Sequence, residues 1–166
     1  MRIREAKTED ADALLALKRA LDRETTFMLL EPGERTTTES EVAEQLQRAA
    51  ARPNSVVRVA EVAGEFVGYV EAIGGGVRRN RHTAHVVIGV RQAFAGHGIG
   101  RRLLEELDRW GQANGVRRLE LTVMTHNDRA IGLYTRVGYR VEGTREAALL
   151  VDNQLVDELW MAKLLS

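Results

Sequence analysis

The sequence predicts an α/β protein of the α+β type: a mixed, mainly antiparallel, twisted sheet of about seven strands, with helices on both faces and one parallel β-α-β crossover. Three observations carry this. Seven short runs are rich in β-branched and apolar residues, and four longer stretches repeat their apolar residues at helical spacing. In mid-chain a run, a helix and a second run follow one another closely, which makes a right-handed parallel connection.

Arg2 to Glu5 reads as a short first strand, and Thr8 caps a helix on which Leu14, Leu17 and Leu21 share one face. Thr38-Glu39-Ser40-Glu41 is a capping box, which predicts a second helix to about Ala51 with Val42, Leu46 and Ala49 buried and Pro53 ending it. The intervening TTFMLLEPGERTT has no period and reads as a loop folded against the body. Val56 to Val62 and Phe66 to Ile73 form an antiparallel hairpin through Ala63-Gly64-Glu65, and Gly74 to Gly76 stop its second strand. After a basic loop (Arg78, Arg79, Arg81), Thr83 to Val90 is a third long strand.

Next comes VRQAFAGHGIGRRLL, and Ile99 to Asn114 reads as a helix with Leu103, Leu107 and Trp110 as its apolar stripe and Glu105–Arg109 as an outward i,i+4 pair. Gly115 ends that helix and Leu119 to Val123 is the strand that completes the crossover. Asn127 or Asp128 opens a last helix, with Ala130, Leu133, Tyr134 and Val137 facing inward and Gly138 at its end. Tyr139 to Leu150 and Leu155 to Met161 are the final strands, joined through Asp152-Asn153.

The 166 residues suit one domain, residues 1–166, with no repeat or linker. Lys plus Arg number 24 and Asp plus Glu number 24, so no global field favours nucleic acid or an anionic membrane. No nucleic-acid or membrane partner is expected. The chain lacks cysteine, which excludes thiolate catalysis and Cys-ligated zinc, and its four histidines show neither HxH nor HExxH spacing, so no metal site is expected. The N-terminal residues contain no apolar signal region, and no run approaches the ~20 apolar residues of a membrane span. A soluble, cytoplasmic protein is the expectation.

The glycine loop raises a specific question. A helix N-terminus carries partial positive charge, so Arg101 and Arg102 in its first turn oppose the dipole unless something negative sits there. Strand, glycine loop and helix together make an anion site, because the first helical amides have no internal partners. Spacing excludes two such sites. A dinucleotide fingerprint needs a third glycine five residues after the first, where this chain has Arg101 or Leu103, and a Walker loop needs Lys-Ser or Lys-Thr after Gly100. A pyrophosphate is the ligand group this loop fits.

Val90, AGHGIGRRLL and NDRAIGLYTRVGY (Asn127 to Tyr139) resemble the acetyl-CoA-binding core of the GNAT superfamily, the GCN5-related N-acetyltransferases. The order of elements is similar over nearly the whole chain. The resemblance implies acetyl-CoA as cosubstrate, bound by Ile88, Gly89, Val90, Ala95, Gly96, His97, Gly98, Ile99, Gly100, Arg101, Asn127, Ala130 and Tyr134. Ala95 departs from the family's usual Arg or Gln, which weakens one side-chain contact of a loop that works mainly through its backbone. The implied reaction is transfer of an acetyl group to a primary amine, of a small molecule or a protein N-terminus, by direct attack through a tetrahedral intermediate. A noncatalytic acyl-CoA-binding regulatory module is the alternative. The ending GTREAALLVDNQLVDELWMAKLL loosely resembles ribosomal-protein and spermidine N-acetyltransferases.

The resemblance makes Tyr134 the general acid for the leaving thiolate and has Asn127 bond the pantetheine arm or a water. An inward aromatic and a helix cap are their bland alternatives. A phenol of pKa about 10 is expected to hand its proton to a thiolate whose acid has pKa about 8.5, across a gap of roughly 2 kcal/mol. It also implies that the main chain of Ile88 to Val90, splayed from the neighbouring parallel strand, pairs with pantetheine and polarises the acetyl carbonyl. The base is open among His82, His85 and Glu71, and the two histidines, three apart in a strand, face opposite ways. Acceptor choice falls to the loop around Phe27 to Arg35, the turn after Ile73 and the last hairpin. A homodimer through an exposed last strand is a further expectation.

Overall fold

In the computed structural model, which describes residues 1–166, the chain folds as strands β1 (Arg2–Glu5), β2 (Val56–Val62), β3 (Glu65–Gly74), β4 (Thr83–Val90), β5 (Arg118–Met124), β6 (Arg140–Val151) and β7 (Gln154–Leu164) and helices α1 (Ala11–Glu24), α2 (Glu39–Ala50), α3 (Ile99–Ala113) and α4 (Asp128–Arg136). The strands form one sheet in the order β1-β2-β3-β4-β5-β7-β6, with β4–β5 its parallel pair and every other pairing antiparallel. No helix is long and apolar enough to cross a membrane.

Strand alternation sends side chains to two separate cores. On one face Leu14, Leu17 and Leu21 of α1 and Val42, Leu46 and Ala49 of α2 pack on Val57, Val59 and Tyr69. On the other, Leu103, Leu107 and Trp110 of α3 and Tyr134 of α4 pack on Val70, Val86, Leu119 and Leu121. Thr38 Oγ1 accepts the Glu41 amide and Glu41 accepts the Thr38 amide, which is the capping box foreseen for α2.

Three expectations need correction. Thr8 does not cap α1: Thr8–Asp10 form a short 3₁₀ turn, because the Asp10 carboxylate, forked to Arg4 at 2.7 and 2.9 Å, also turns back to accept the Lys7 amide. Glu105 does not pair with Arg109. Arg101 reaches Glu105 at 2.7 Å from one turn earlier, and Arg109 pairs with Glu106 instead. The last strand is not an edge, because β7 inserts between β5 and β6; the edge at that end of the sheet is β6, which carries Arg140, Glu142, Arg145 and Glu146.

Candidate active site

Strands β4 and β5 are joined by only three residue pairs, Thr83–Arg118, Ala84–Leu119 and His85–Glu120, and then splay apart. Beyond His85, β4 stays paired to β3 as far as Val90, and β5 to β7 as far as Met124, so the sheet contains a fork. The Arg91 amide bonds Val67 O at 2.8 Å and the Gly75 amide bonds Thr83 O at 3.0 Å, which sets the phase of the β3–β4 ladder. In an antiparallel ladder the bonded residues alternate, so Val87 and Gly89 bond β3 while Val86, Ile88 and Val90 turn their N–H and C=O groups into the fork.

Of the three residues expected to offer main chain, Ile88 and Val90 therefore do. Gly89 serves packing: a Cβ there would stand 2.7 Å from Leu21 Cδ1 and 3.3 Å from Tyr69 Cε1, so only glycine lets α1 and the Tyr69 ring lie against the strand.

The fork opens toward the loop from Arg91 to Gly98. Gly96 and Gly98 have φ of +81° and +78°, the left-handed region that side chains disfavour. Gly98 caps α3 without any side-chain bond, and the first amide to find a helical acceptor is Arg102, to Gly98 O at 3.0 Å. The amides of Ile99, Gly100 and Arg101 consequently point outward, and the first turn contains no acidic residue to compete for the anion.

Ala95 follows the short 3₁₀ turn Gln92–Phe94, and His97 folds back on the loop with Nδ1 3.1 Å from Ala95 O. The loop is clasped from α1, where the Glu24 carboxylate accepts Gln92 N–H at 2.9 Å and pairs with Arg91. Burial disfavours that charge, yet the Gln92 amide and Arg91 outweigh it and hold Glu24 below the usual carboxylate range.

Helix α4 supplies the third wall. Asn127 Oδ1 accepts the Ala130 amide at 3.3 Å, so Asn127 does cap the helix, and half-buried Ala130 packs on the core beneath. Gly100 lets α3 and α4 approach, since a Cβ there would lie 3.0 Å from Leu133 Cδ2. Tyr134 is 8% exposed and its ring centroid lies 5.8 Å from that of Tyr139. Three enclosed side-chain polar atoms lack partners, Arg58 Nε, Asp108 Oδ1 and the Tyr139 hydroxyl. The Tyr134 hydroxyl also has no protein partner, although the residue is buried and the hydroxyl is not fully enclosed.

The sequence of the Acetyltransferase (GNAT) family matches residues 16–139 of this chain, a span that includes the fork, the loop and α4. The chain belongs to that family. It is 31% identical over 121 residues to L-amino acid N-acetyltransferase AaaT of Escherichia coli (strain K12), covering 70% of this chain and 73% of that protein. A GNAT acetyltransferase from Streptococcus pneumoniae superposes with a TM-score of 0.96 at 32% identity over 99% of both chains. The fold is shared with yncA from Salmonella typhimurium, solved with its cofactor acetyl-CoA, at a TM-score of 0.89 and 21% identity over 100% of this chain and 94% of that one.

Within this GNAT chain, the candidate bases do not come together equally. His82 precedes β4 and lies at the closed end of the fork, where its carbonyl accepts the Arg117 and Arg118 amides. His85 is exposed at the last rung, edge-on to Trp160 at 6.3 Å. Glu71, opposite Val87, faces the same side of the sheet as α1 and is held by Lys18 at 3.3 Å.

Of the three acceptor segments, two meet: Thr26, His126, Val151, Asp152 and Gln154 to Asp157 line a cavity of about 380 Å³, and Phe27 packs on His126 with ring centroids 5.0 Å apart. The turn after Ile73 is elsewhere, tied to the end of α2 by Arg52 on Gly74 O and Gly75 O at 2.8 and 2.9 Å.

Two residues escaped the sequence reading. Arg129 Nη2 stands 3.6 Å from the position of a Cβ on Gly96, bringing a cation to the loop from α4. Its place one turn ahead of Leu133 in NDRAIGLYTRVGY was the available signal. Tyr69 was hidden by strand alternation, which marks it only as core.

Burial pushes the Tyr134 phenol up to about 12. The gap to a thiol near 8.5 therefore widens to roughly 5 kcal/mol, and it runs against transfer to a free thiolate. A phenol so placed would suit a proton donor that acts as negative charge develops on a leaving group, and not one that protonates a free thiolate.

Proposed function

We propose that this GNAT protein moves the acetyl group of acetyl-CoA to a primary amine, of a free amino acid, another small molecule or a protein N-terminus. The amino-acid acceptor is supported by the activity named for the Escherichia coli relative. The residues fit the donor. Outward amides of Ile99 to Arg101 and the Arg129 guanidinium would hold the diphosphate, and the main chain of Ile88 and Val90 would pair with pantetheine and polarise the carbonyl.

The neutral amine adds to the carbonyl carbon, the N–C bond forms and the π pair moves to oxygen. Collapse breaks the C–S bond; sulfur keeps the pair and takes the Tyr134 proton, and the nitrogen's surplus proton leaves to a base. Glu71 and His85 both face the side from which the amine enters. One proton is lost by nitrogen and one is gained by sulfur, so the donor phenol is restored through solvent.

The observation that carries this reading is the Tyr134 hydroxyl, which belongs to a buried residue and is neither partnered in the protein nor fully enclosed. The test is amine-dependent CoA release across a panel of amino acids and other amines, with Tyr134→Phe alongside. The variant should keep its affinity for CoA and lose roughly a hundredfold in kcat, the usual worth of one positioned acid. Intact CoA binding with no turnover on any amine would favour the acyl-CoA-binding regulatory module.

A further inference from the structure

A thioester laid in the fork lies within the plane of the sheet, so a nucleophile must approach its carbonyl from one face or the other. The face of α3 and α4 is filled by the larger core. On the opposite face α1 and α2 pack over β2, β3 and the near side of β4, and no helix covers β5, β7 or β6. The acceptor therefore enters beside β4 on the α1 side. The one tyrosine pointing to that side is Tyr69, opposite Gly89.

Its surroundings are unusual for a core tyrosine. The residue is 2% exposed, and its Cε1 lies 3.3 Å from the position of a Cβ on Gly89, so the ring packs against the strand that carries Ile88 and Val90. Lys18 Nζ stands 5.1 Å from the ring centroid and also pairs with Glu71. The Tyr69 residue is almost wholly buried, yet its hydroxyl has no hydrogen-bond partner in the protein and is not fully enclosed. Tyr69 and Tyr134 thus lie in the cores on opposite faces of the sheet that holds the fork, each with a phenol hydroxyl that no protein group binds.

We propose that Tyr69 binds the acceptor, its hydroxyl oxygen accepting one N–H of the neutral amine so that the nitrogen lone pair points at the thioester carbon. This rests on the acetyltransferase reading above and adds to it the residue that orients the nucleophile. Glycine at position 89 is then part of the catalytic design, because any side chain there would displace the ring.

The test is Tyr69→Phe, which removes one oxygen and keeps the packing against Leu21 and Gly89. CoA affinity and the thermal midpoint should stay at wild-type values, while kcat/KM for the amine falls roughly tenfold, the scale of one lost hydrogen bond at a reacting group. A conjugate joining CoA to the amine through an acetyl bridge should bind the variant more weakly by a similar factor. In wild type with ¹³C-labelled tyrosine, the Tyr69 Cζ resonance should shift with the conjugate and not with CoA alone.

Amine kinetics within twofold of wild type, an unmoved resonance, or a loss of CoA affinity in the variant would each overturn the assignment. Failure of wild type to release CoA with any amine would instead remove the underlying acetyltransferase reading, so the two failures are distinguishable.

Discussion

The Arg129 guanidinium hangs above Gly96, with Nη2 3.6 Å from where a Cβ would stand, so the cation serving the glycine loop arrives from the helix after the next strand. Arg101, the cation adjacent in sequence, is occupied by Glu105 at 2.7 Å. Arg129→Ala should weaken CoA binding about tenfold, as loss of a charge-assisted phosphate contact does, whereas Arg101→Ala should cost about twofold. Titration at low and high salt checks both, since the difference between wild type and Arg129→Ala should shrink as salt rises.

Gly98 faces open space at φ +78°, with no atom within 4 Å of an added Cβ. Gly98→Ala should lower stability by about 1 kcal/mol, from backbone strain alone. Gly98→Trp should keep the fold, with a similar loss of stability, and abolish detectable CoA binding, because its side chain occupies the volume over the outward amides. Urea unfolding and calorimetry report the two effects separately.

Asp22 is 2% exposed and receives the Arg35 fork at 2.7 and 3.0 Å, which pins the loop between α1 and α2 to the end of α1. Arg35→Ala leaves that carboxylate without its partner and should destabilise the protein by about 3 kcal/mol. The same variant should raise KM for the amine and leave CoA affinity unchanged, because the loop borders the acceptor side and not the glycine loop.

All three tyrosines of the chain, Tyr69, Tyr134 and Tyr139, have phenols raised above the ordinary value, in each case chiefly by burial. Below about pH 10 a phenol keeps its proton in both folded and unfolded chains, and these groups impose no pH dependence. Above it the unfolded chain releases protons that the folded chain retains, so stability falls as pH rises. Tyr134 alone, at about 12, should account for about 3 kcal/mol of loss across that window. Absorbance at the tyrosinate band should show no titration near pH 10 and should rise together with unfolding; an independent earlier rise would contradict the burial of all three rings.

Much of this fold was legible because its signals are local. Thr38 and Glu41 announce α2, Asp152 and Asn153 take the left-handed turn between β6 and β7, and the Leu103, Leu107 and Trp110 stripe fixes the buried side of α3. The glycine loop was legible for the same reason, as a run of residues whose backbone requirements show in their identities. What was not legible depends on contacts across the chain. The family resemblance foreshadowed that β4 splays from β5, but nothing near residue 85 says that it does so there, nothing near Thr8 says that Arg4 will recruit Asp10, and Tyr69 shows its role only once Gly89 lies beside it. The insertion of β7 between β5 and β6 is likewise a long-range choice that hairpin signals leave open.

The three rungs joining β4 to β5 give the sheet a mechanical seam. On one side lies a four-stranded plate backed by α1 and α2, on the other a three-stranded plate ending in the long β6–β7 ribbon, and their pairing ends at His85 and Glu120. A pantetheine chain lying along Ile88 and Val90 would act as the missing strand, stitching the plates into one stiff board. Amide hydrogen exchange should therefore slow on CoA binding at those two residues and also along the facing edge of β5, far beyond the atoms that touch the diphosphate.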